Sequence, residues 1–133
     1  MKTSQLEERL SAEEEFDEDL IRENGCPDFC TVITEYIKEK GIPRSELIKR
    51  MNINMNIDKN YGYQLLNGTR APTRNHTIQI GLLLGLDIGS FQALLKAAKK
   101  KPLYVRDMFD AKVFYAVKHK MELDKAIDFI WNT

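Results

Sequence analysis

The stretch Met51–Gly68 reads MNINMNIDKNYGYQLLNG and contains a predicted helix behind a repeated tetrapeptide. Asp58 is a good N-cap residue, because its carboxylate can accept hydrogen bonds from the unpaired amides of a first helical turn. Gly68 can end the helix, because glycine adopts the left-handed conformation found at many helix ends. The sequence therefore predicts a short helix near residues 58–67.

The repeat in front of this helix, MNIN followed by MNID, has two interpretations. If it is helical, Met51 and Met55 share one face, and the extra copy lengthens the preceding helix by one turn, about 6 Å. Asn and Asp, however, favour turns and caps because their side chains compete for nearby backbone groups. We therefore expect a lengthened loop, about residues 53–57, in front of a retained helix.

The other long segments also have the apolar spacing of helices. The clearest stripe ends at Gly41 and comprises Phe29, Val32, Ile33, Tyr36 and Ile37. Further helices are predicted at SELIKRM, after the N-cap Thr73, and at three later amphipathic segments that begin near Phe91, Phe109 and Leu123. No segment alternates with period two for long enough to form a sheet, so the predicted fold class is all-α.

The N-terminal segment also carries helix signals. Ser11 and Glu14 have the spacing of a capping box, and Gly25 supplies a stop. Apolar side chains follow the cap at Phe16 and Leu20. These signals predict one helix over residues 11–24.

Charge divides the chain, whose formal net charge is zero. Residues 1–27 carry three basic and nine acidic side chains, whereas residues 28–133 carry 17 basic and 11 acidic ones. A segment of charge −6 thus precedes a body of charge +6. A basic body suits an anionic partner such as DNA, and the acidic segment can cover that body, bind a protein partner or form a solvated helix face.

Several functional classes lack support in the sequence. The longest apolar run, residues 78–86, is far shorter than the roughly 18 residues of a membrane span, and the N-terminus has no apolar signal-peptide core, so we expect a cytoplasmic protein with no membrane partner. Cys26 and Cys30 match no zinc-site spacing and are expected to be reduced thiols at a helix start. Without a Gly-rich phosphate loop or a clustered nucleophile and base, we expect no enzyme, no metal and no cofactor.

The order of the segments resembles a known family. A helix ending in KEKGI is followed by SELIKR, a turn, a helix ending in NG, and TRAPTRNHTIQIGLLLGLD. This order is similar to that of the phage-repressor-like (XRE-type) helix-turn-helix domains over residues 28–98. A narrower bacterial subgroup with YGYQ and APTR-like motifs extends the resemblance through LLK at 94–96, LY at 103–104 and DA at 110–111 to most of the chain.

The resemblance implies a repressor-like five-helix core at residues 28–98. An acidic N-terminal helical segment, residues 1–27, precedes it, and two extra helices in residues 99–133 pack on the same core. In such domains the second helix of the motif enters the major groove while the first lies across the DNA backbone. The helix near residues 58–67 would then be the recognition helix of a transcriptional regulator that binds double-stranded DNA. Gly62 departs from the family, which places a branched core residue there.

The implied DNA contacts form two groups. The first can read base edges, since the amides of Asn60 and Gln64 can pair with adenine; its candidates are Lys59, Asn60, Tyr61, Tyr63 and Gln64. The second supplies affinity through phosphates without reading sequence; its candidates are Arg44, Lys49, Arg70 and Arg74.

The repressor-like scaffold also implies a partner and an alternative function. A short recognition helix reads few base pairs, so a homodimer is expected, with Phe129 and Trp131 as candidate dimer contacts unless they pack in their own core. The alternative function is a protein-interaction module that has lost or weakened DNA binding. Its contact surface would be the acidic segment or the lengthened loop.

Overall fold

A computed structural model gives the structure of residues 1–24 and 28–132, with the side chains of residues 22–24 excepted. These residues form helices and no strand, which confirms the all-α fold class. The helices are α1 (Thr3–Ala12), α2 (Glu18–Asn24), α3 (Phe29–Lys40), α4 (Arg44–Met55), α5 (Lys59–Asn67), α6 (Arg74–Leu83), α7 (Ile88–Ala97), α8 (Met108–Lys118) and α9 (Leu123–Trp131).

Helices α3 to α9 share one continuous apolar core. Helix α6 buries Ile78 and Ile80 completely or nearly so and packs against both α4 and α7. Helix α3 packs on α5 and α7, and α8 packs on α7 and α9. Side chains on both sides of residue 98 therefore belong to the same core.

Helix boundaries follow local signals at several predicted positions. Gly41 and Gly68 adopt left-handed φ values of 65° and 85° immediately after α3 and α5. Thr73 caps α6, because its Oγ1 accepts a hydrogen bond from the His76 amide at 3.0 Å. These predicted helix ends are confirmed.

The acidic N-terminal segment forms two helices, so the single helix predicted over residues 11–24 is wrong. Ser11 lies in the last turn of α1, where its hydroxyl donates to the carbonyl oxygen of Glu7 at 2.8 Å instead of capping a new helix. Asp17 caps α2, with Oδ1 accepting from two backbone amides at 3.1 and 3.3 Å. The predicted stop, Gly25, lies outside the described residues.

The repeat MNINMNID is helical as far as Met55, so the loop predicted at residues 53–57 is wrong. Met51 and Met55 are only 0% and 8% exposed and lie on the buried face of α4. Burying a methionine side chain stabilises a fold by about 1.5–3 kcal/mol, whereas an asparagine in a helix costs about 0.7 kcal/mol relative to alanine. Core packing therefore outweighs the turn preference of the two asparagines within the helix.

The asparagines of the repeat serve the end of this helix. Asn52 Nδ2 donates to the carbonyl oxygen of Ile57 at 2.8 Å and so holds the following turn. Asn54 Nδ2 donates back to the carbonyl oxygen of Arg50 at 2.9 Å. Asn56 ends α4 in the left-handed conformation, with φ 53°. The asparagine-rich composition thus marks the end of α4 and not a loop through its length.

Gly62 allows α5 to approach α4 closely. A Cβ at this position would lie 3.1 Å from Ile48 Cδ1 and 3.8 Å from Met51 Cε, and both of these side chains are buried. A branched residue would have to displace them. The helix-propensity cost of an interior glycine, about 1 kcal/mol, is therefore linked to a close contact between the two helices.

The two aromatic side chains considered for a dimer contact pack within their own chain. The Trp131 ring meets the Phe109 ring edge-on, with 5.7 Å between centroids. The Phe129 ring lies 5.7 Å from the Tyr115 ring. Phe129 and Trp131 are partly buried against the core, which supports the alternative that they pack within their own chain.

Candidate nucleic-acid interface

Helices α4 and α5 pack against each other and are joined by residues 56–58 alone. A connection of three or four residues is typical of a helix-turn-helix pair, and it often contains glycine. Here the left-handed residue is Asn56. Asp58 then caps α5 as predicted, with Oδ1 accepting from the Tyr61 amide at 2.8 Å. The repeat belongs to α4 as far as Met55, which leaves this turn short.

The side chains of α5 divide into a buried set and an exposed set. The buried set, which faces the core, consists of Gly62, Leu65 and Leu66. Residues spaced three or four apart form a second, solvent-exposed surface of the helix. We call them the exposed stripe: Lys59, Asn60, Tyr63 and Asn67. Three of the five predicted base-contact residues therefore lie on one accessible surface.

The other two base-contact candidates, Tyr61 and Gln64, lie on one flank of α5. Arg70 Nε donates to Gln64 Oε1 at 2.7 Å, and the Arg70 guanidinium lies 5.4 Å from the centre of the Tyr61 ring. His76 of α6 packs edge-on against the same ring, with 5.6 Å between centroids. We call Tyr61, Gln64, Arg70 and His76 the flank cluster.

Arg70 orients the Gln64 side chain. With one lone pair of Oε1 occupied, Gln64 keeps a second lone pair and both amide hydrogens for another partner. Because the amide is already held, less rotamer entropy is lost when a ligand binds. The flank cluster therefore presents Gln64 as a pre-positioned polar group beside the exposed stripe.

His76 supports the flank cluster as a neutral ring. Burial lowers the pKa of His76 below its ordinary value. Its Nδ1 is buried, and no described group is its hydrogen-bond partner. A proton on this ring would place charge where solvation is poor, so the neutral imidazole is favoured and packs against Tyr61.

Arg74, a predicted phosphate contact, is engaged inside the protein. Its Nη1 and Nη2 donate to the two carboxylate oxygens of Asp110 at 2.9 and 2.8 Å. Nε and Nη2 also donate to the carbonyl oxygens of Lys101 and Pro102 at 3.1 and 3.2 Å. This fork joins the first turn of α6 to the C-terminal extension. Arg74 therefore has a structural role.

Asp110 completes this junction from the first turn of α8. It is 5% exposed and also accepts from the Tyr104 amide at 2.9 Å. Burial raises its pKa, but the hydrogen bonds from Arg74 and from the Tyr104 amide, together with the charge of Arg74, outweigh burial, so the pKa of Asp110 lies below its ordinary value. The carboxylate is therefore ionised and paired near neutral pH.

The junction also brings a run of lysines, residues 99–101, to the first turn of α6. Arg74 binds the Lys101 carbonyl, whereas His76, about 200° further around the helix, faces the flank cluster. The flank cluster and the lysine run thus lie on opposite sides of the α6 N-terminus. Nothing in the local sequence shows that this run returns to α6.

The N-terminus of α6 differs electrostatically from four other helix starts. Aspartates cap α3, α5, α7 and α8, whereas the neutral hydroxyl of Thr73 caps α6. The positive end of the α6 dipole is therefore not offset by a carboxylate at the cap. Unpaired amides at a helix start favour an anion such as phosphate.

The remaining predicted residues lie on α3 and α4. Arg44 begins α4 and donates from Nη2 to Thr34 Oγ1 at 3.3 Å, and Lys49 is exposed halfway along the helix. Cys30 has a free thiol that donates to the carbonyl oxygen of Leu66 at 3.0 Å. This contact ties α3 to the end of α5. Cys26 lies outside the described residues.

Comparison with known proteins adds no family to this picture. No family model, curated protein or solved structure matches the chain. The likeness to repressor-like domains thus rests on sequence motifs and stays a prediction. Within residues 1–24 and 28–132, no helix is long and apolar enough to cross a membrane, and no group of three or more metal-binding side chains comes together.

Proposed function

We propose that this protein binds double-stranded DNA with α5 in the major groove and acts as a transcriptional regulator. The observation that carries the proposal is the exposed stripe on a short, capped helix that is held from behind by α4 through a three-residue turn. The major groove admits one α-helix, and side chains near the start of that helix reach base edges. Lys59 and Asn60 occupy this position.

Asn60 is the strongest candidate for reading sequence. It is exposed in the first turn of α5, and its amide can pair bidentately with adenine, which is worth about 1–3 kcal/mol of discrimination. Tyr63, 41% exposed, lies one turn further along the stripe and can contact a thymine methyl group or a phosphate. Gln64 would enter the same groove in the orientation that Arg70 gives it.

Phosphate contacts would centre on the N-terminus of α6. Arg70 lies on one side of this helix start and the lysine run 99–101 on the other. A DNA strand passing over the uncharged Thr73 cap would meet cations on both sides and unpaired amides between them. Arg74 leaves the set of proposed phosphate contacts, because its guanidinium is held by Asp110.

Fluorescence anisotropy with labelled genomic duplex fragments tests DNA binding. We expect binding at about 50 mM salt that weakens steeply toward about 200 mM, because each neutralised phosphate releases counterions. Lys101→Gln should lower the salt dependence, whereas Lys125→Gln on α9 removes the same charge elsewhere and should leave it unchanged. Absence of binding at low salt would reject the proposal and leave the protein-interaction module as the better interpretation.

Selection from random duplexes tests the division between base and phosphate contacts. Asn60→Ala should change or relax the selected sequence at one position, whereas Lys101→Gln should weaken binding to every sequence alike. If Asn60→Ala selects the same sequences as the wild-type protein, α5 does not read bases through Asn60.

A further inference from the structure

The C-terminal extension carries an exposed apolar groove of about 510 Å³. Its side chains are Val105, Ala111, Phe114, Tyr115, Lys118 and His119. Val105 and Tyr115 are 56% and 50% exposed, and Met108, 73% exposed, continues the same face of α8 three residues before Ala111. We call this surface the α8 groove.

The α8 groove is preformed and has a basic rim. The Tyr115 ring stacks on His119 with 4.1 Å between centroids and also contacts Phe129 at 5.7 Å, so the wall of the groove is held in place. Lys118 lies on the rim, and the exposed Arg106 directly follows Val105. A suitable occupant would combine an apolar side chain with flanking carboxylates.

The chain itself contains such an occupant between α1 and α2. Residues 13–17 read EEEFD and are not helical. Phe16 is 71% exposed there, with a carboxylate on both sides in sequence. No residue of α1 is buried, whereas Leu20 of α2 is 5% exposed. An exposed phenylalanine among carboxylates thus projects from a short segment between two helices.

We propose that Phe16 of one copy docks in the α8 groove of a second copy. Phe16 is exposed in its own chain and so does not occupy its own groove. The carboxylates of Glu14 and Glu15 would then face Arg106 and Lys118, in keeping with the charge of −6 on residues 1–27 and +6 on the remainder. Because each copy carries both halves, two copies would make the contact twice in a two-fold dimer.

The size of the contact sets the expected strength. Two aromatic side chains and their rims cover less surface than the roughly 800 Å² per partner of a stable complex. The dimer is therefore weak, and salt weakens it further because exposed charges contribute to it. This inference does not depend on DNA binding, so the two proposals can fail separately.

Sedimentation equilibrium of the full chain, from micromolar to millimolar protein, tests the dimer. We expect monomer and dimer in a concentration-dependent equilibrium that shifts toward monomer at high salt. Phe16→Ala should raise the dissociation constant at least tenfold. So should Val105→Glu, which places a carboxylate opposite the acidic segment. Leu10→Ala, which truncates another exposed apolar residue of the N-terminal segment, is the control and should leave the equilibrium unchanged.

A mixture of the two variants identifies the contact. Phe16→Ala keeps an intact groove and Val105→Glu keeps an intact phenylalanine, so each mixed pair has one complete contact. We expect the mixture to associate more strongly than either variant alone, with circular dichroism showing that both are folded. The proposal is overturned by a mixture that gains no association, by a dimer that neither substitution weakens, or by a wild-type chain that stays monomeric at every concentration.

Discussion

Arg70 and Arg74 lie four residues apart and were both predicted to contact DNA phosphates, yet the structure gives them different surroundings. Arg70 is exposed, with its guanidinium over Tyr61 and its Nε bonded to Gln64. Arg74 forms a two-point ion pair with Asp110, which is 5% exposed. Arg70 extends the candidate DNA surface, whereas Arg74 holds two parts of the core together.

The difference shows that charge and local position do not define the role of an arginine. Both residues flank the Thr73 cap of α6, and both have a five-donor fork. What separates them is the partner each finds, Gln64 six residues away and Asp110 36 residues away. A guanidinium that is paired with a buried carboxylate stabilises the fold, whereas an exposed guanidinium can bind a ligand.

The largest expected difference between the two arginines is in stability. Arg74→Ala should lower the free energy of unfolding by about 3 kcal/mol, because it leaves the buried Asp110 carboxylate without its partner. Arg70→Ala should lower it by less than about 1 kcal/mol, as for exposed pairs. Urea denaturation followed by circular dichroism measures both losses. Equal losses would contradict the conclusion that Arg74 stabilises the fold more than Arg70 does.

The pH dependence of stability tests the ion pair between Arg74 and Asp110. The folded pKa of Asp110 lies below its unfolded value of about 3.8, so its contribution to stability is present above pH 3.8 and disappears as the pH falls through the folded pKa. Asp110→Asn should be less stable than the wild-type protein near neutral pH, and the gap should shrink in acid. The free energy of unfolding of both proteins, compared at neutral and acid pH, tests this. A gap that does not depend on pH contradicts the assignment.

For DNA affinity the order should be reversed, with the larger effect at Arg70. Arg70→Ala should weaken binding roughly tenfold for all sequences and reduce the slope of log affinity against log salt by about 0.9, which corresponds to one phosphate contact. Arg74→Lys keeps the charge but loses the fork, so it should lower stability and leave the slope unchanged. Anisotropy titrations at several salt concentrations supply both slopes. An unchanged slope for Arg70→Ala would show that Arg70 does not contact phosphate.

The smallest expected effect is on the pH dependence of stability that comes from His76, which lies with Arg70 in the flank cluster. Its folded pKa lies below the unfolded value of about 6.5, so the unfolded chain binds the proton first, and stability falls slightly as the pH drops below 6.5 toward the folded pKa. His76→Phe keeps a ring against Tyr61 and should remove this part of the pH dependence. Thermal unfolding at mildly acid and neutral pH compares the two proteins. If both lose the same stability, His76 is not responsible.

Much of the candidate site follows from periodicity along one helix. Once Leu65 and Leu66 are assigned to the core, the helical period places Asn60 on the opposite side and Tyr63 next to it, as the structure has them. Lys59 lies seven residues before Leu66 and is exposed at the start of the helix. Sequence reasoning did not find the lysine run 99–101 or the pairing of Arg74. Both depend on contacts between segments 27 or more residues apart in the chain.

The sequence by itself determined the all-α class, the caps Asp58 and Thr73, and the ends of α3 and α5, because these signals act within one helical turn. Tertiary structure decided where the repeat MNINMNID stops being helical, since the burial of Met51 and Met55 outweighs the turn preference of the neighbouring asparagines. It also decided which arginine stays accessible. The local sequence determines which groups a side chain is able to bind, but the tertiary structure determines which of them lies within contact distance.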